Sequence, residues 1–327
     1  MRYETDESIL GKEFKVLDKG FIQLVDYMGN DQKIVDAARV SYGAGTKSIS
    51  EDETLIRYLM RHRHTSPFEQ CIVSLRVKVP MDTWRQWIRH RTASVNEYST
   101  RYSVAIDDKQ ETDPDKWRLQ DTKINKQGSE GYLPEHIENN NKLGELAGGD
   151  LLSIREKELH DIADLNYKYR LKCGVAREQA RKDLPLSTYT LAVWTIDLHN
   201  LLHFLSLRMD SHAQLEIRQY ANIIGNEIVA KLFPLTWSAF QDYKLNAITL
   251  TVREIKIINA WNGKTEFNLV GGHRESQQMV LSAIADENWF GWFDKRKDGT
   301  LKDNLERIEF EEKAKLLGIE LPWLNGG

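Results

Sequence analysis

Two hydrophobic periods run through the chain, and between them they place most of its elements. Cys71, Val73, Leu75, Val77 and Val79 alternate with Ser74, Arg76 and Lys78, the period of a half-buried strand. Pro80, which has no N–H to give a sheet ladder, stops it. Ser50 and Glu53 make a capping box ahead of Leu55, Ile56, Leu59 and Met60, predicting a helix over 51–63. A turn containing Pro67 follows from His64 to Glu69, and a helix carrying Trp84, Trp87 and Ile88 follows the strand. The helical period returns at Ile154, Leu159, Ile162, Leu165 and Tyr169, closed at Gly174. A short helix from Arg177 to Lys182 ends before Pro185. Ser187 is expected to cap a long helix with apolar positions from Leu191 to Leu207, buried on several sides, and another helix runs from about Ala213 to Leu232, ending near Pro234.

Two regions break this regularity. Residues 107–150 are dominated by Asp, Lys, Gln, Gly and Asn, including Asn139-Asn140-Asn141 and Gly148-Gly149, and read as a surface insertion. Beyond Leu245 the pattern shifts again: Ile248, Leu250 and Val252 alternate as in a strand, Glu275 to Ile284 suits a helix, and Leu305 to Leu317 reads as a charged amphipathic helix. The expected organisation is therefore a domain over 1–245 with an insertion, then a partly ordered extension over 246–327. Within the extension, Trp289-Phe290-Gly291-Trp292-Phe293 reads as a packing cluster or a cover for a partner. There is no internal repeat and no low-complexity segment.

The chain has 327 residues, enough for a sizeable core, and a net charge of −4 with 41% hydrophobic residues. That balance gives no general affinity for polyanions, so the basic runs at Arg61–His64 and Arg85–Arg101 are local sites, and a genome-binding role is disfavoured. No apolar run is long enough to span a membrane, and Met1-Arg2-Tyr3-Glu4 is not the start of a signal peptide, so a cytoplasmic protein without membrane attachment is expected. Cys71 and Cys173 form neither a CxxC pair nor a disulfide framework, and both read as small buried residues. Nothing near either one would activate a thiolate.

The densest chemistry lies in Arg89-His90-Arg91-Thr92-Ala93-Ser94-Val95-Asn96-Glu97-Tyr98-Ser99-Thr100-Arg101-Tyr102-Ser103. Arg89 to Arg91 should stand near a helix end, with a loop from Ser94 to Ser103. Guanidinium forks and backbone N–H donors there suit phosphate-bearing ligands. A solvated basic helix end is the plain alternative for Arg89 to Arg91 alone.

Arg89-His90-Arg91 followed by Ser94, Asn96-Glu97, Ser99 and Arg101 resembles the RHRxxSxNExSxR signature of the flavin-dependent thymidylate synthases at every fixed position. The resemblance extends to Arg63-His64-Thr65-Ser66-Pro67-Phe68-Glu69, Ala180-Arg181-Lys182-Asp183-Leu184-Pro185 and Leu207-Arg208-Met209-Asp210-Ser211-His212-Ala213-Gln214, in the family's order over roughly residues 15–240. It implies a mixed α/β (α+β) fold with a small mixed sheet and a helical half. It also implies a methyltransferase that converts dUMP to dTMP with FAD as cofactor, 5,10-methylenetetrahydrofolate as one-carbon donor and NADPH as reductant. By this resemblance, Ser41, His64, Ser66, Glu69, Arg89, His90, Arg91, Asn96, Asp197, His203 and His212 contact FAD. Gln86, Arg89, Glu97, Ser99, Arg101, Arg181 and Arg208 surround dUMP, and Ser99, Arg101 and Arg208 serve the reaction by positioning and polarisation. Asp197 stands where the family commonly has Asn, and His199 where it commonly has Arg. Family members are homotetramers with sites shared between subunits. The chain has no GxGxxG fingerprint, so FAD would not be held by a Rossmann unit.

Other chemistries fit some of the same residues. His199 and His203, i and i+4 on one helix, could ligate zinc with His212 and nearby Asp197 in a hydrolase, although no HExxH arrangement is present. Trp84, Trp87, Tyr98 and Tyr102 among the arginines could stack the bases of single-stranded nucleic acid. Ser99 has the look of a nucleophile but adjoins no Asp–His pair. Arg181 could form a surface ion pair with Asp183, and Ser66 to Glu69 could be a plain turn start.

Overall fold

The computed structural model describes residues 6–40, 49–99, 108–121, 128–135, 148–261, 291–292, 294–321 and 323. The chain divides into two compact units, Met1–Asn246 and Ala247–Gly327.

The first unit is a mixed α/β structure built on a five-stranded sheet. Its strands are β1 (Glu13–Val16), β2 (Gly20–Met28), β3 (Ile72–Pro80), β4 (Ser94–Glu97) and, after the helical insertion, β7 (Tyr189–Asp197), in the order β1-β2-β3-β7-β4. All neighbours pair antiparallel. β3 is central and alternates as expected, with Val73, Leu75, Val77 and Val79 fully buried. On its other face Ser74 and Thr195 share a hydroxyl hydrogen bond of 2.8 Å.

β7 corrects the expectation of one long helix from Leu191 to Leu207. Its side chains alternate between buried and half-buried, and nine residues pair in continuous register with β3, including Leu75 opposite Trp194. Thr190, Val193, Thr195 and Ile196 are β-branched, which favours the strand, but an apolar run on both faces hides the period of two. The helix begins only at α6 (Leu198–Arg208), where Asp197 accepts from the Asn200 backbone N–H at 3.0 Å as its N-cap. β4 replaces part of the expected Ser94–Ser103 loop. It satisfies the free edge of β7, and its side chains are all exposed, so no hydrophobic alternation announces it.

The helices α1 (Asp31–Arg39), α2 (Ile49–Arg61), α3 (Met81–Trp87), α7 (Leu215–Ile223), α8 (Ala230–Leu232) and α9 (Pro234–Phe240) complete the main core. α2 starts one residue before Ser50, so Ser50 is not its N-cap, and it ends at Arg61 because Arg63 turns left-handed with φ of 59°. The expected helix from Ala213 to Leu232 is α7 and α8 joined by a wide π-type stretch, Ile224–Val229, and Pro234 opens α9 rather than closing what precedes it.

The insertion holds a hairpin of β5 (Arg118–Gln120) and β6 (Ser129–Tyr132), and it packs on α4 (Gly149–Lys172), which is followed by α5 (Arg177–Ala180). Trp117 donates to Ser153 Oγ at 2.9 Å, and Glu156 accepts from the Thr112 backbone at 2.6 Å. α4 is the helix its periodicity predicts, yet its apolar stripe is exposed: Ile154 56%, Leu159 60%, Ile162 57%, Leu165 68% and Tyr169 68%. Cys173, expected to be buried, is exposed just past its end.

In the second unit, Ile248 to Val252 is not a strand. Thr251 Oγ1 accepts from the Glu254 N–H at 3.3 Å and Glu254 accepts from the Thr251 N–H at 2.5 Å, a capping box that starts α10 (Val252–Trp261). α11 (Leu305–Leu316) is the expected amphipathic helix. Ile257, Trp292, Phe310, Ala314 and Leu321 form this unit's core, so Trp292 packs as expected. The expected helix from Glu275 to Ile284 lies outside the described residues, as do Trp289, Phe290 and Phe293.

Candidate active site

The Arg-His-Arg triplet follows α3 directly, and the helix is anchored by its tryptophans. Trp84 and Trp87 are 1% and 0% exposed. Trp87 packs on Trp194 at 5.3 Å, Phe204 at 5.0 Å and Tyr220 at 5.7 Å between ring centroids. Burying rings of this size contributes on the order of 2–3 kcal/mol each, and it makes them unreachable for bases. That removes Trp84 and Trp87 from the stacking-platform reading.

His90 leaves this anchor half-buried, with its ring edge-on to Phe204 at 4.9 Å. Arg208, the last residue of α6, donates from Nε to His90 Nε2 at 3.1 Å. His203, about one turn earlier on α6, lies 6.0 Å away between ring centroids. Burial, then the Arg208 charge and His203, pushes His90 down to about 4. His90 is therefore neutral at pH 7, accepting at Nε2 and protonated at Nδ1. Burial lowers Arg208 as well. Arg89 and Arg91 flank this pair and are exposed.

The pairing of β4 with β7 sets the next residues. Asn96 stands opposite Val193 and Glu97 opposite Ala192, and Glu97 Oε1 accepts from Thr190 Oγ1 at 2.7 Å. The Tyr98 N–H extends the ladder to the Leu191 carbonyl at 2.8 Å, leaving Ser99 half-buried just beyond. Gln86, on the last turn of α3, donates to Gln214. Ser41, Arg101 and Tyr102 lie outside the described residues.

A cavity opens on the other side of His203. Its basic lining is Arg63, His64, His199, His203 and Lys244, over an apolar floor that includes Leu59, Met60, Phe68, Leu202 and Phe240. Among the described residues, no carboxylate lines it. His203 belongs to this cavity and also faces His90, so it joins the two halves of the site. Ser66 and Glu69 are exposed on the turn that follows His64.

Three expected residues are held differently. Asp197 is committed to the start of α6, its second oxygen accepting from the Asn200 amide at 2.7 Å. The His212 ring bonds Asp210 at 2.8 Å and is 67% exposed. Arg181 sits in the turn Arg181–Asp183 after α5, where the Asp183 carboxylate pairs with Arg170. No three His, Cys, Asp or Glu side chains converge as metal ligands among the described residues, so the zinc reading of His199, His203 and His212 has no support there. Thr190, Gln214, Arg63 and Lys244 were not singled out from the sequence. Only Gln214, within a motif block, and Arg63, beside His64, carried any signal there.

Residues 23–235 match the family model described as thymidylate synthase complementing protein, Thy1. The chain belongs to this family. It is 48% identical over 287 residues to the flavin-dependent thymidylate synthase of Wolbachia pipientis wMel, covering 84% of this chain and 94% of that relative. It is 50% identical over 243 residues to an enzyme of that name from Thermus thermophilus, covering 74% of this chain and 83% of the relative. Among solved structures, the UMP/dUMP methylase PolB from Streptomyces cacaoi bound with 5-Br dUMP superposes with a TM-score of 0.59 at 31% identity, covering 69% of this chain and 97% of that one. The Thy1 match spans most of β2, β3, β4 and β7, the triplet and the insertion, and it ends before Phe240 and Lys244 of the cavity. Among the described residues, no helix is long and apolar enough to cross a membrane.

Proposed function

We propose that the chain is a cytoplasmic thymidylate synthase that methylates dUMP at C5, with FAD as cofactor, 5,10-methylenetetrahydrofolate as carbon donor and NADPH as reductant. The observation that carries this reading is the neutral His90 bonded by Arg208 and facing, through His203, a basic cavity with an apolar floor. Such a donor set suits a flat aromatic ligand that carries negative charge. When bound, the flavin supplies the relay of two electrons from NADPH to the transferred carbon. C5 gains the methylene carbon as that carbon's bonds to the folate nitrogens break and tetrahydrofolate leaves, C5 loses its proton to solvent, and a hydride equivalent drawn from NADPH completes the methyl group.

The chain's own residues bind, orient and stabilise charge. Arg89, Arg181 and Arg208 supply guanidinium forks for the phosphate monoester. Gln86 and Glu97, each held by a second residue, fix the nucleoside part. Ser99 and Arg101 take the negative charge that develops on the uracil carbonyls. His64, Ser66, Glu69, Arg89, His90, Arg91, Asn96, Asp197, His203 and His212, with Ser41, are the flavin-facing set. Asp197 and His212 act there as already capped and paired groups. Neither cysteine takes part: Cys71 is fully buried and its thiol is pushed up to about 12 by that burial.

The active form in this reading is a homotetramer with shared sites. Supporting it is the stripe from Ile154 to Tyr169 on α4, five large apolar side chains open to solvent in one chain. The test is to mix purified protein with FAD, dUMP, 5,10-methylenetetrahydrofolate and NADPH and follow dTMP by chromatography. Formation of dTMP that requires all four components is expected. Absence of FAD binding at micromolar protein overturns the reading.

A further inference from the structure

Arg63 occupies a backbone position that favours glycine. It follows α2 with φ of 59°, its N–H bonding the Met60 carbonyl at 3.3 Å while the His64 N–H bonds that of Leu59 at 2.9 Å. This is the paired-bond helix ending whose left-handed residue is usually glycine, because a Cβ there costs about 1 kcal/mol. Leu17 and Arg63 are the non-glycine residues with positive φ among those described. The helix ending gives no reason for an arginine, but the cavity does: Arg63 lines it. Strain kept at the edge of a site points to a use for the side chain.

Lys244 lines the same cavity from the π-type stretch Gln241–Leu245 that continues α9, beyond residue 235 where the family match ends. Two contacts tie that stretch to α2. Arg57 pairs with Asp242 at 2.6 Å, and Arg61 donates to the Tyr243 hydroxyl at 3.3 Å. Asp242, the acidic residue in the stretch, is thus occupied by Arg57, and the two contacts tie the segment carrying Lys244 to the helix that leads into Arg63. The guanidinium and the ammonium are the cationic groups of this lining suited to a phosphate.

We infer that Arg63 and Lys244 form a cationic clamp for the pyrophosphate of a dinucleotide whose aromatic part rests on the apolar floor. This rests on the flavin reading above. FAD and NADPH both carry that pyrophosphate. Arg63→Gly, Lys244→Gln and the double variant would be compared with the parent. FAD affinity is measured by flavin fluorescence on the apoprotein, NADPH affinity on FAD-loaded protein, and riboflavin serves as the phosphate-free control. Thermal stability is measured alongside.

The expected result is that Arg63→Gly is at least as stable as the parent, since glycine fits the left-handed position. Each single variant should weaken FAD five- to twentyfold, with the double weaker still and riboflavin unchanged. Weakened NADPH with unchanged FAD supports the clamp and assigns it to the reductant. Variants that bind both dinucleotides within twofold of a flavin-binding parent overturn the clamp and leave the flavin reading intact. A parent that binds no FAD overturns both.

Discussion

Arg208 donates its Nε hydrogen to Nε2 of His90 across 3.1 Å, joining the end of α6 to the triplet after α3 and fixing which imidazole nitrogen carries the proton. A positive donor and a protonated imidazole cannot share that contact. His90 is accordingly pushed down from an ordinary 6.5 to about 4, mainly by burial and then by Arg208. The unfolded chain takes up this proton below pH 6.5 and the folded one does not until about 4. Stability contributed by the neutral His90 is therefore full above 6.5 and is lost as pH falls toward 4. We expect a loss of roughly 1–3 kcal/mol over that window, discounted for partial exposure. His90→Gln, which can still accept from Arg208, should flatten it. Urea unfolding at pH 7.5 and 4.5 measures the difference, and equal pH slopes for parent and variant would contradict the assignment.

Thr190 holds Glu97 through a hydroxyl hydrogen bond of 2.7 Å from within the sheet, where it is 6% exposed. Thr190→Val should leave Glu97 free to turn, raising the KM for dUMP about fivefold, as expected for one lost hydrogen bond of about 1 kcal/mol. The kcat should change less. Thr190→Ser should restore the KM. Steady-state kinetics on the three proteins decides it, and an unchanged KM in the valine variant would show that Glu97 does not need this anchor.

How far the sequence made this site legible depends on the range of the contacts involved. The strand from Cys71 to Val79 and the helix carrying Trp84 and Trp87 were readable because their periods are local and each ends at a distinct signal. The motif residues were readable because their spacing within the signature is fixed. β7 was not, since a strand buried on one face and half-buried on the other carries apolar residues throughout and mimics a buried helix. β4 was not, because its order comes from the edge of β7, over ninety residues along the chain, and its own side chains are exposed. Thr190 and Lys244 gained meaning only from what folding sets beside them. The helix start at Thr251-x-x-Glu254 is a local capping-box pattern, but the alternation of Ile248, Leu250 and Val252 just before it points to a strand.

Cys71 packs against Gly29, where an added Cβ would stand 2.6 Å from its sulfur, and the Gly29 backbone has φ of 90°. That is the environment of a structural thiol, unlike that of a nucleophile. Cys71→Ser should cost about 1–2 kcal/mol by burying a hydroxyl, with activity per folded molecule retained. Cys173→Ser, at an exposed position, should change neither. Denaturation curves and dTMP assays check both. A folded Cys71→Ser protein that makes no dTMP, with a Cys–dUMP adduct detected in the parent by mass spectrometry, would contradict the thiolate-free mechanism.

The exposed stripe on α4 predicts what assembly requires. Ile162 and Leu165 are 57% and 68% exposed in one chain, so Ile162→Glu with Leu165→Glu should leave the monomer fold intact. Placed in an apolar interface, two carboxylates would be desolvated without partners and would prevent association. Light scattering after size-exclusion chromatography should show a smaller particle than the parent, with helical circular dichroism unchanged. A double variant of parental size would remove this stripe from the interface.

Shared sites make a sharper demand. Arg181 stands in the turn after α5, whereas Arg101 ends the signature that contains β4, and in the proposed tetramer they reach one nucleotide from different subunits. Arg181→Ala and Arg101→Ala homo-oligomers should each be nearly inactive, because every site then lacks one cationic contact to the nucleotide. Truncating one partner of such a charged hydrogen bond costs roughly 2–5 kcal/mol. Co-expression changes the arithmetic. In a mixed oligomer some interfaces pair an intact Arg181 from one chain with an intact Arg101 from its neighbour, and those sites regain both contacts. Hybrids isolated through two different affinity tags, with composition verified by native mass spectrometry, should form dTMP well above either parent variant. Hybrids no more active than the parent variants would place both arginines in the pocket of a single chain.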